Sequence, residues 1–310
     1  MNQQVLTEER RLNTQPQIHR IWHNLALADG SHWKITADDE EAETIVSQLG
    51  SVMQLSKTIG TIEPSLNGNQ RRLHVQVKAP ASVADCYIPL AAKSDGVFVS
   101  VLCPCKHWNG QYINLLTLSL ILARNAQACG GVLVHGALAE RDGMGIILAA
   151  PGGTGKTTAS NRLPVPWRSL CDDTTLVVLD AQGSYWAHPW PTWSRFIDSE
   201  SGGVWNVQEA VPLKGIFFLE QAVEDNVKRV GAGQAVSLLT ECAKQASMFT
   251  IGLPEKELRD MYLERFNNLC DLASVVPVHM LDISLTGAFW QKIEQALDKE
   301  IINKKKADMG

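Results

Sequence analysis

Between Gly131 and Ile283 the chain alternates short apolar runs with turn dipeptides, the punctuation of a strand-rich fold. Gly131–Glu140 and Met144–Ala150 are joined through Asp142-Gly143, a pair favoured in two-residue hairpin loops, and read as antiparallel strands. Thr174–Leu179 and Ser184–His188 form a second pair around Ala181-Gln182-Gly183, and Leu213–Leu219 is a short buried strand. The period then changes. Gly233–Ala246 reads as a helix, and in Glu255–Leu272 the residues Leu258, Met261, Tyr262, Phe266, Leu269 and Leu272 recur at helical spacing. Val276–Ile283 is a strand and Gly287–Leu297 a closing helix. This interleaving predicts an α/β fold with a mixed sheet rather than a purely parallel one.

The first third is patterned more weakly. His19–Ala28 and His32–Thr36 flank Asp29-Gly30 and read as a hairpin. Asp38-Asp39-Glu40-Glu41 opens a helix to about Leu49, its acids at the positive end. Lys57–Gln70 reads as loop, with strands at Leu73–Val77, Cys86–Pro89 and Gly96–Cys103. Gln111–Cys129 is a core helix leading into the second part. The expected organisation is a disordered start over 1–18, a smaller α+β region over 19–110, an α/β domain over 111–303 and a basic tail over 304–310.

The 310 residues are 45% hydrophobic and 20% charged, a globular balance with enough apolar residues for a sizeable core. A net charge of −5 argues against a nucleic-acid surface, and Lys304-Lys305-Lys306 reads as a solvated end. The polar N-terminus lacks an apolar signal region, and the stretch 113–128 carries Arg124 and Asn125 and is shorter than a bilayer requires. A cytoplasmic protein without membrane or nucleic-acid partners is expected. The seven cysteines include no Cys-x-x-Cys and read as buried, reduced thiols.

Against this background one stretch carries chemistry. Ala150-Pro151-Gly152-Gly153-Thr154-Gly155-Lys156-Thr157 follows a strand and precedes a helix, and matches the phosphate-loop pattern except for Ala at its first glycine. Gly152, Gly153 and Gly155 let the backbone curl so that N–H groups, that of Thr154 among them, face anionic oxygens. Lys156 would neutralise the β/γ-phosphates of ATP, Thr157 would hold Mg²⁺, and Thr158 either joins the phosphate set or serves the helix start. The competing reading is a glycine-rich turn without a ligand.

Pro164 and Pro166 limit the following helix to Lys156–Leu163, about 12 Å at 1.5 Å per residue. The strand Arg168–Cys171 then returns about 13 Å at 3.3 Å per residue. A strand–helix–strand unit with a right-handed crossover would therefore bring Asp172-Asp173 level with the phosphate loop. A carboxylate there can hold Mg²⁺ or take a proton from an attacking hydroxyl; alternatively the pair caps a turn. If Asp142-Gly143 is the two-residue loop, His135 faces Ala150, while Glu140 faces Gly145 roughly 17 Å away at 3.4 Å per residue. His135 is thus a candidate, to bind phosphate, orient an aspartate or shuttle a proton, or else a hydrogen-bonded strand residue.

Together "VHGALAERDGMGIILAAPGGTGKTT" and "LCDDTTLVVL" resemble the core of the HPr kinase/phosphorylase superfamily, in which a His-Gly strand, hairpin, phosphate loop, short helix and Asp pair occur in this order. "HPWPTWSRF", "PLKGIFFLEQA" and "VPVHMLDISLTGAFW" are similar to the SynChlorMet cassette protein ScmC family, HPr-kinase-like proteins found beside radical-SAM and PqqD-like peptide-modification partners. The resemblance implies an HPr-kinase-like core in which Gly152, Gly153, Gly155, Lys156 and Thr157 bind phosphates and metal. It further implies that Asp172, or Asp173, is the catalytic base with His135 beside it. The chain departs from the superfamily at Ala150, at Thr157-Thr158 in place of Ser-Glu, and in lacking a Glu-Ile-Arg-Gly counterpart after the Asp pair. These departures argue against phosphorolysis and against HPr as the substrate.

The aromatic run Tyr185–Phe196 could floor an adenine or peptide pocket, with Arg195 clamping a γ-phosphate, or could be a rigid cap on the sheet. Asp173, Glu200 and Glu220 are further metal or orienting acids, and His188 and His279 read as structural. The expected function is an ATP- and Mg²⁺-dependent transfer to a Ser or Thr hydroxyl of a peptide or small protein, by a chain that can form homo-oligomers. The alternatives are a nucleotide-binding assembly or switch factor without transfer chemistry, and a small-metabolite kinase.

Overall fold

The computed structural model describes residues 20–60, 66, 68–78, 91–94, 96–104, 108–150, 154–198, 202–247 and 255–307. It is a mixed α/β structure with two mixed sheets. The six-stranded sheet has the order β3-β1-β2-β4-β6-β5: β1 Arg20–Ala26, β2 His32–Ala37, β3 Ser56–Gly60, β4 Gln70–Val77, β5 Ala91–Ser94 and β6 Val97–Leu102. β1 and β2 form the hairpin expected around Asp29-Gly30. α1 (Glu40–Val52) begins where its acids predict, with the Asp39 carboxylate accepting the Ala42 N–H at 2.8 Å.

The expected loop over Lys57–Gln70 is corrected at both ends. β3 pairs with β1 through its backbone and the Asn24–Thr58 side-chain hydrogen bond, and its residues are almost all exposed, so it lacks the apolar alternation by which a strand is recognised. The strand expected at Cys86–Pro89 and the tail 1–18 lie outside the described residues.

α2 (Trp108–Ala128) leads into the second sheet, built from β7 Val132–Arg141, β8 Met144–Ala149, β9 Arg168–Cys171, β10 Thr174–Leu179, β11 Tyr185–Trp190, β12 Val211–Gln221, β13 Asn226–Arg229 and β14 Val278–Ile283. Its order is β11-β10-β7-β8-β12-β14-β13, with β9 also on β7, and β11 reaches round to pair with β12. β8, β12 and β14 run parallel, whereas β7 is antiparallel to β8. The central strands β7, β8 and β12 are buried on both faces. Leu138, Ile147, Ile216 and Phe218 join one core, and Ala137, Ile146, Leu148, Phe217 and Leu219 the other, the period-two alternation of a covered sheet.

The helices are α3 Lys156–Arg162, α4 Arg195–Asp198, α5 Ala232–Ala246, α6 Glu255–Val275 and α7 Phe289–Ala307. α7 corrects the expected basic tail: the Lys304-Lys305-Lys306 run is the last turn of a helix, which no glycine or proline interrupts. No helix among the described residues is long and apolar enough to cross a membrane.

The larger core is continuous from Trp33, Leu49 and Leu73 under the first sheet, through Leu118 and Leu122 of α2, to Leu176 and Ile216 in the second. Hydrogen bonds stitch the two parts together: Trp205 N–H to Val52 O at 2.8 Å, and Ala28 N–H to the side-chain Nε2 of His188 at 3.1 Å. Nδ1 of His188 meets Val207 O at 2.6 Å, so this histidine is structural.

His279 is structural too, buried and stacked on Phe217 with ring centres 5.0 Å apart. Burial, and then the nearby Arg229, pushes its imidazole down to about 4. Below a pH of about 6.5 the unfolded chain takes up a proton that the folded chain refuses, so stability should be level above that pH and fall from there to about 4. The urea midpoint should therefore drop across this window, and His279→Phe should flatten the drop. Parallel slopes in the two proteins would show that other groups are responsible.

Candidate active site

The hairpin loop has the backbone its sequence calls for: Asp142 and Gly143 take φ of 53° and 77°, both positive as in a type I′ turn. The register follows, with Gly136 opposite Ala149 and Glu140 opposite Gly145. Glu140 is accordingly at the hairpin end of the strands, far from Ala149 and Ala150. It accepts the Gly143 N–H at 2.7 Å and Arg168 at 2.8 Å, and so braces the turn.

β9 spans Arg168–Cys171 as expected, but it is not the neighbour of β8. Both β8 and β9 are antiparallel to β7, which lies between them. The strand–helix–strand unit is present, with one strand between its ends: the chain leaves β8, passes along α3 over β7 and returns on its far side, still parallel to β8. Cys171 pairs with Leu138 and Thr174 with His135, so β9 and β10 run as one line along β7, interrupted at Asp172-Asp173 and shifted in register within β9.

That break brings three candidate residues together. Nζ of Lys156 lies 2.8 Å from Nε2 of His135, 3.0 Å from Ala150 O and 3.8 Å from Oδ1 of Asp173. Nδ1 of His135 is 3.5 Å from Oδ2 of Asp173. Lys156 is only 6% exposed. Burial lowers the Lys156 ammonium, with Asp173 opposing. Burial also lowers the His135 imidazole, against Asp173 and with Lys156, and raises the Asp173 carboxyl against both cations. A neutral His135 can accept from Lys156 at Nε2 only if its own proton sits on Nδ1, the nitrogen that faces Asp173.

Asp172 is held apart from this group. Arg195, at the start of α4, reaches its Oδ2 at 2.5 Å, and the buried Thr192 hydroxyl donates to Oδ1 at 3.2 Å. The aromatic run that carries these two residues is core. Trp190, Trp193 and Phe196 are 1%, 6% and 6% exposed, and Trp193 donates to Oγ of Ser119 on α2 at 2.9 Å. This overturns the adenine-floor reading of these rings: they belong to the larger apolar core, with Trp193 tied to α2.

Gly155 takes φ of 101°, a left-handed conformation, and a Cβ there would meet nothing within 4 Å. Thr157 and Thr158 are exposed at the start of α3, and Thr154 is held by Gln221, whose side chain donates to its carbonyl at 3.4 Å. Gly152, Gly153 and Glu200 lie outside the described residues. Glu220 is exposed at the end of β12, opposite Asp282. Among the described residues no group of three or more His, Cys, Asp or Glu is arranged to hold a metal ion.

Three contributors escaped the sequence reading. Thr192 was readable only as Arg195's neighbour, and Gln221 only from the rule that residues at the carboxyl ends of parallel strands line one crevice. Cys242 of α5 is a buried thiol in electrostatic contact with Lys156, pushed up to about 11 by burial. Cys129, by contrast, is exposed, so not every thiol is buried as expected.

No curated relative matches the chain. The family model of the SynChlorMet cassette protein ScmC matches residues 99–298, which covers β6 through most of α7 and so the whole of this site. By that match over most of its length, the chain belongs to the SynChlorMet cassette protein ScmC family.

Proposed function

We propose that this protein is an HPr-kinase-like phosphotransferase that moves the γ-phosphoryl group of ATP to a Ser or Thr hydroxyl of a small protein or peptide. The observation that carries this reading is the meeting of Lys156, His135 and Asp173 at the glycine turn that follows a parallel strand. Phosphoryl transfer needs a cation on the phosphates and a group to receive the hydroxyl proton, and those two needs match these side chains.

In the reading advanced here, Lys156 leaves His135 and Ala150 O for the phosphates. His135, whose Nδ1 faces Asp173, then has Nε2 free, and the pair accepts the proton. Asp173 takes that role rather than Asp172 because both oxygens of Asp172 are bound by Arg195 and Thr192. Arg195, about half exposed, can exchange that carboxylate for a phosphate oxygen. The open space over Gly155 and the exposed Thr157 hydroxyl fit a nucleotide and its Mg²⁺. When bound, the metal would be held by Thr157 and would neutralise charge on the phosphates; Asp173, a metal ligand by sequence, is assigned here to the proton. The family name speaks of a cassette, and the acceptor is placed among the proteins of that cassette; partners of the radical-SAM and PqqD-like kind are what the sequence resemblance implies.

The test is ATP binding and turnover with Mg²⁺ in the presence of candidate partner peptides, read by the gain of a phosphate mass. The native chain should phosphorylate a partner and Lys156→Ala should not. Tight nucleotide binding without transfer to any partner would sink the kinase and leave a nucleotide-binding switch.

A further inference from the structure

At the end of the second sheet away from Lys156, the starts of β8, β12 and β14 enclose a cavity of about 350 Å³ with the β10–β11 turn and α7. That volume suits a small molecule. Two lining residues carry donors with nothing to bind. β12 pairs with β8 as Leu213 to Gly145 and then Gly215 to Ile146, so Lys214 is the extra residue of a bulge, outside the ladder and exposed. Bulges are rare between parallel strands and re-aim a side chain. No carboxylate among the described residues pairs with Lys214.

The second donor is Tyr185, 4% exposed, whose hydroxyl has no hydrogen-bond partner among the described residues. The ring is buried while Tyr185 lines the cavity, so its hydroxyl is a donor that an oxygen of a ligand held there can take up. Burial, and then Asp271, pushes the phenol up to about 12, so it remains a donor at any working pH. The acid in the wall is already taken: Glu300 accepts from Arg229 at 2.9 Å through both oxygens. Trp186, Leu213 and Leu297 supply apolar surface.

We propose that this cavity binds a small aromatic carboxylate, with its anion between Lys214 and Tyr185 and its ring against Trp186 and Leu297. A cation would have to compete with Arg229 for Glu300. Asp271, near Tyr185, opposes an anion, and a cationic probe weighs that opposition directly.

Calorimetric titration of the full chain with 3-phenylpropionate, 3-phenylpropanol and 3-phenylpropylamine tests the proposal. The carboxylate should saturate at least about tenfold more tightly than the other two, and Lys214→Ala and Tyr185→Phe should each weaken it by about tenfold. Lys214 is exposed, so Lys214→Ala should keep the native unfolding midpoint. Equal affinity for the three probes, a preference for the amine, no saturation at millimolar concentration or unchanged binding in Lys214→Ala would each overturn it.

Discussion

Replacing Asp173 with Asn is expected to lower transfer by about 10²–10⁴-fold, the usual worth of a positioned general base, while Mg²⁺-nucleotide affinity stays near native. The change preserves shape and removes the charge that faces both His135 and Lys156. Without it, His135 loses the partner that orients its Nδ1 proton, and the acceptor for the substrate proton goes with it. Asp172→Asn should differ in kind. It weakens a contact to an exposed arginine, and its main effect should be on the placement of Arg195, read as a higher KM for ATP with a smaller change in kcat. Two results would reassign these residues. If Asp173→Asn abolishes Mg²⁺-nucleotide affinity together with turnover, Asp173 is a metal ligand. If Asp172→Asn is the variant that loses turnover with affinity intact, the base is Asp172, as the superfamily resemblance allowed.

Lys156, His135 and the Asp pair were legible because each was fixed by local rules. Asp142-Gly143 admits one hairpin geometry, and that geometry sets which residue of β7 faces the end of β8. Pro164 and Pro166 cap the length of α3, and the Asp pair closes β9, so both elements could be measured by residue count. The insertion of β7 between β8 and β9 could not be read in that way, because strand order depends on pairings between distant segments and leaves no mark on local periodicity. The same holds for β3, β5 and β13. They are short edge strands held by backbone hydrogen bonds, and β3 and β13 carry mostly exposed side chains. Residue type alone also failed to divide the aspartates. Two identical side chains in sequence received different partners because the loop after β11 gives the hydrogen bonds of Thr192 and Arg195 to Asp172, whereas Asp173 faces His135 and Lys156.

Trp190→Ala should cost about 3–5 kcal/mol, as removal of a fully buried aromatic ring does, and should lower the urea midpoint clearly. Trp190 pairs with Thr174, and Thr174 pairs with His135, so one row of the sheet runs from the core to the site. Its indole N–H has no partner, so truncation removes packing and leaves no hydrogen bond broken. The void would sit under the segment that leads to Thr192 and Arg195, and some loosening of Asp172 should follow. Nucleotide affinity of the folded fraction should nevertheless remain close to native, because no face of this ring is open to a base. A variant that kept its stability and lost nucleotide binding would instead restore the aromatic run to the binding site, and would require the loop after β11 to open in solution. Trp193→Phe is the complementary probe. It keeps most of the ring and loses the hydrogen bond to Ser119, so it should cost only about 0.5–1.5 kcal/mol if the segment is core throughout.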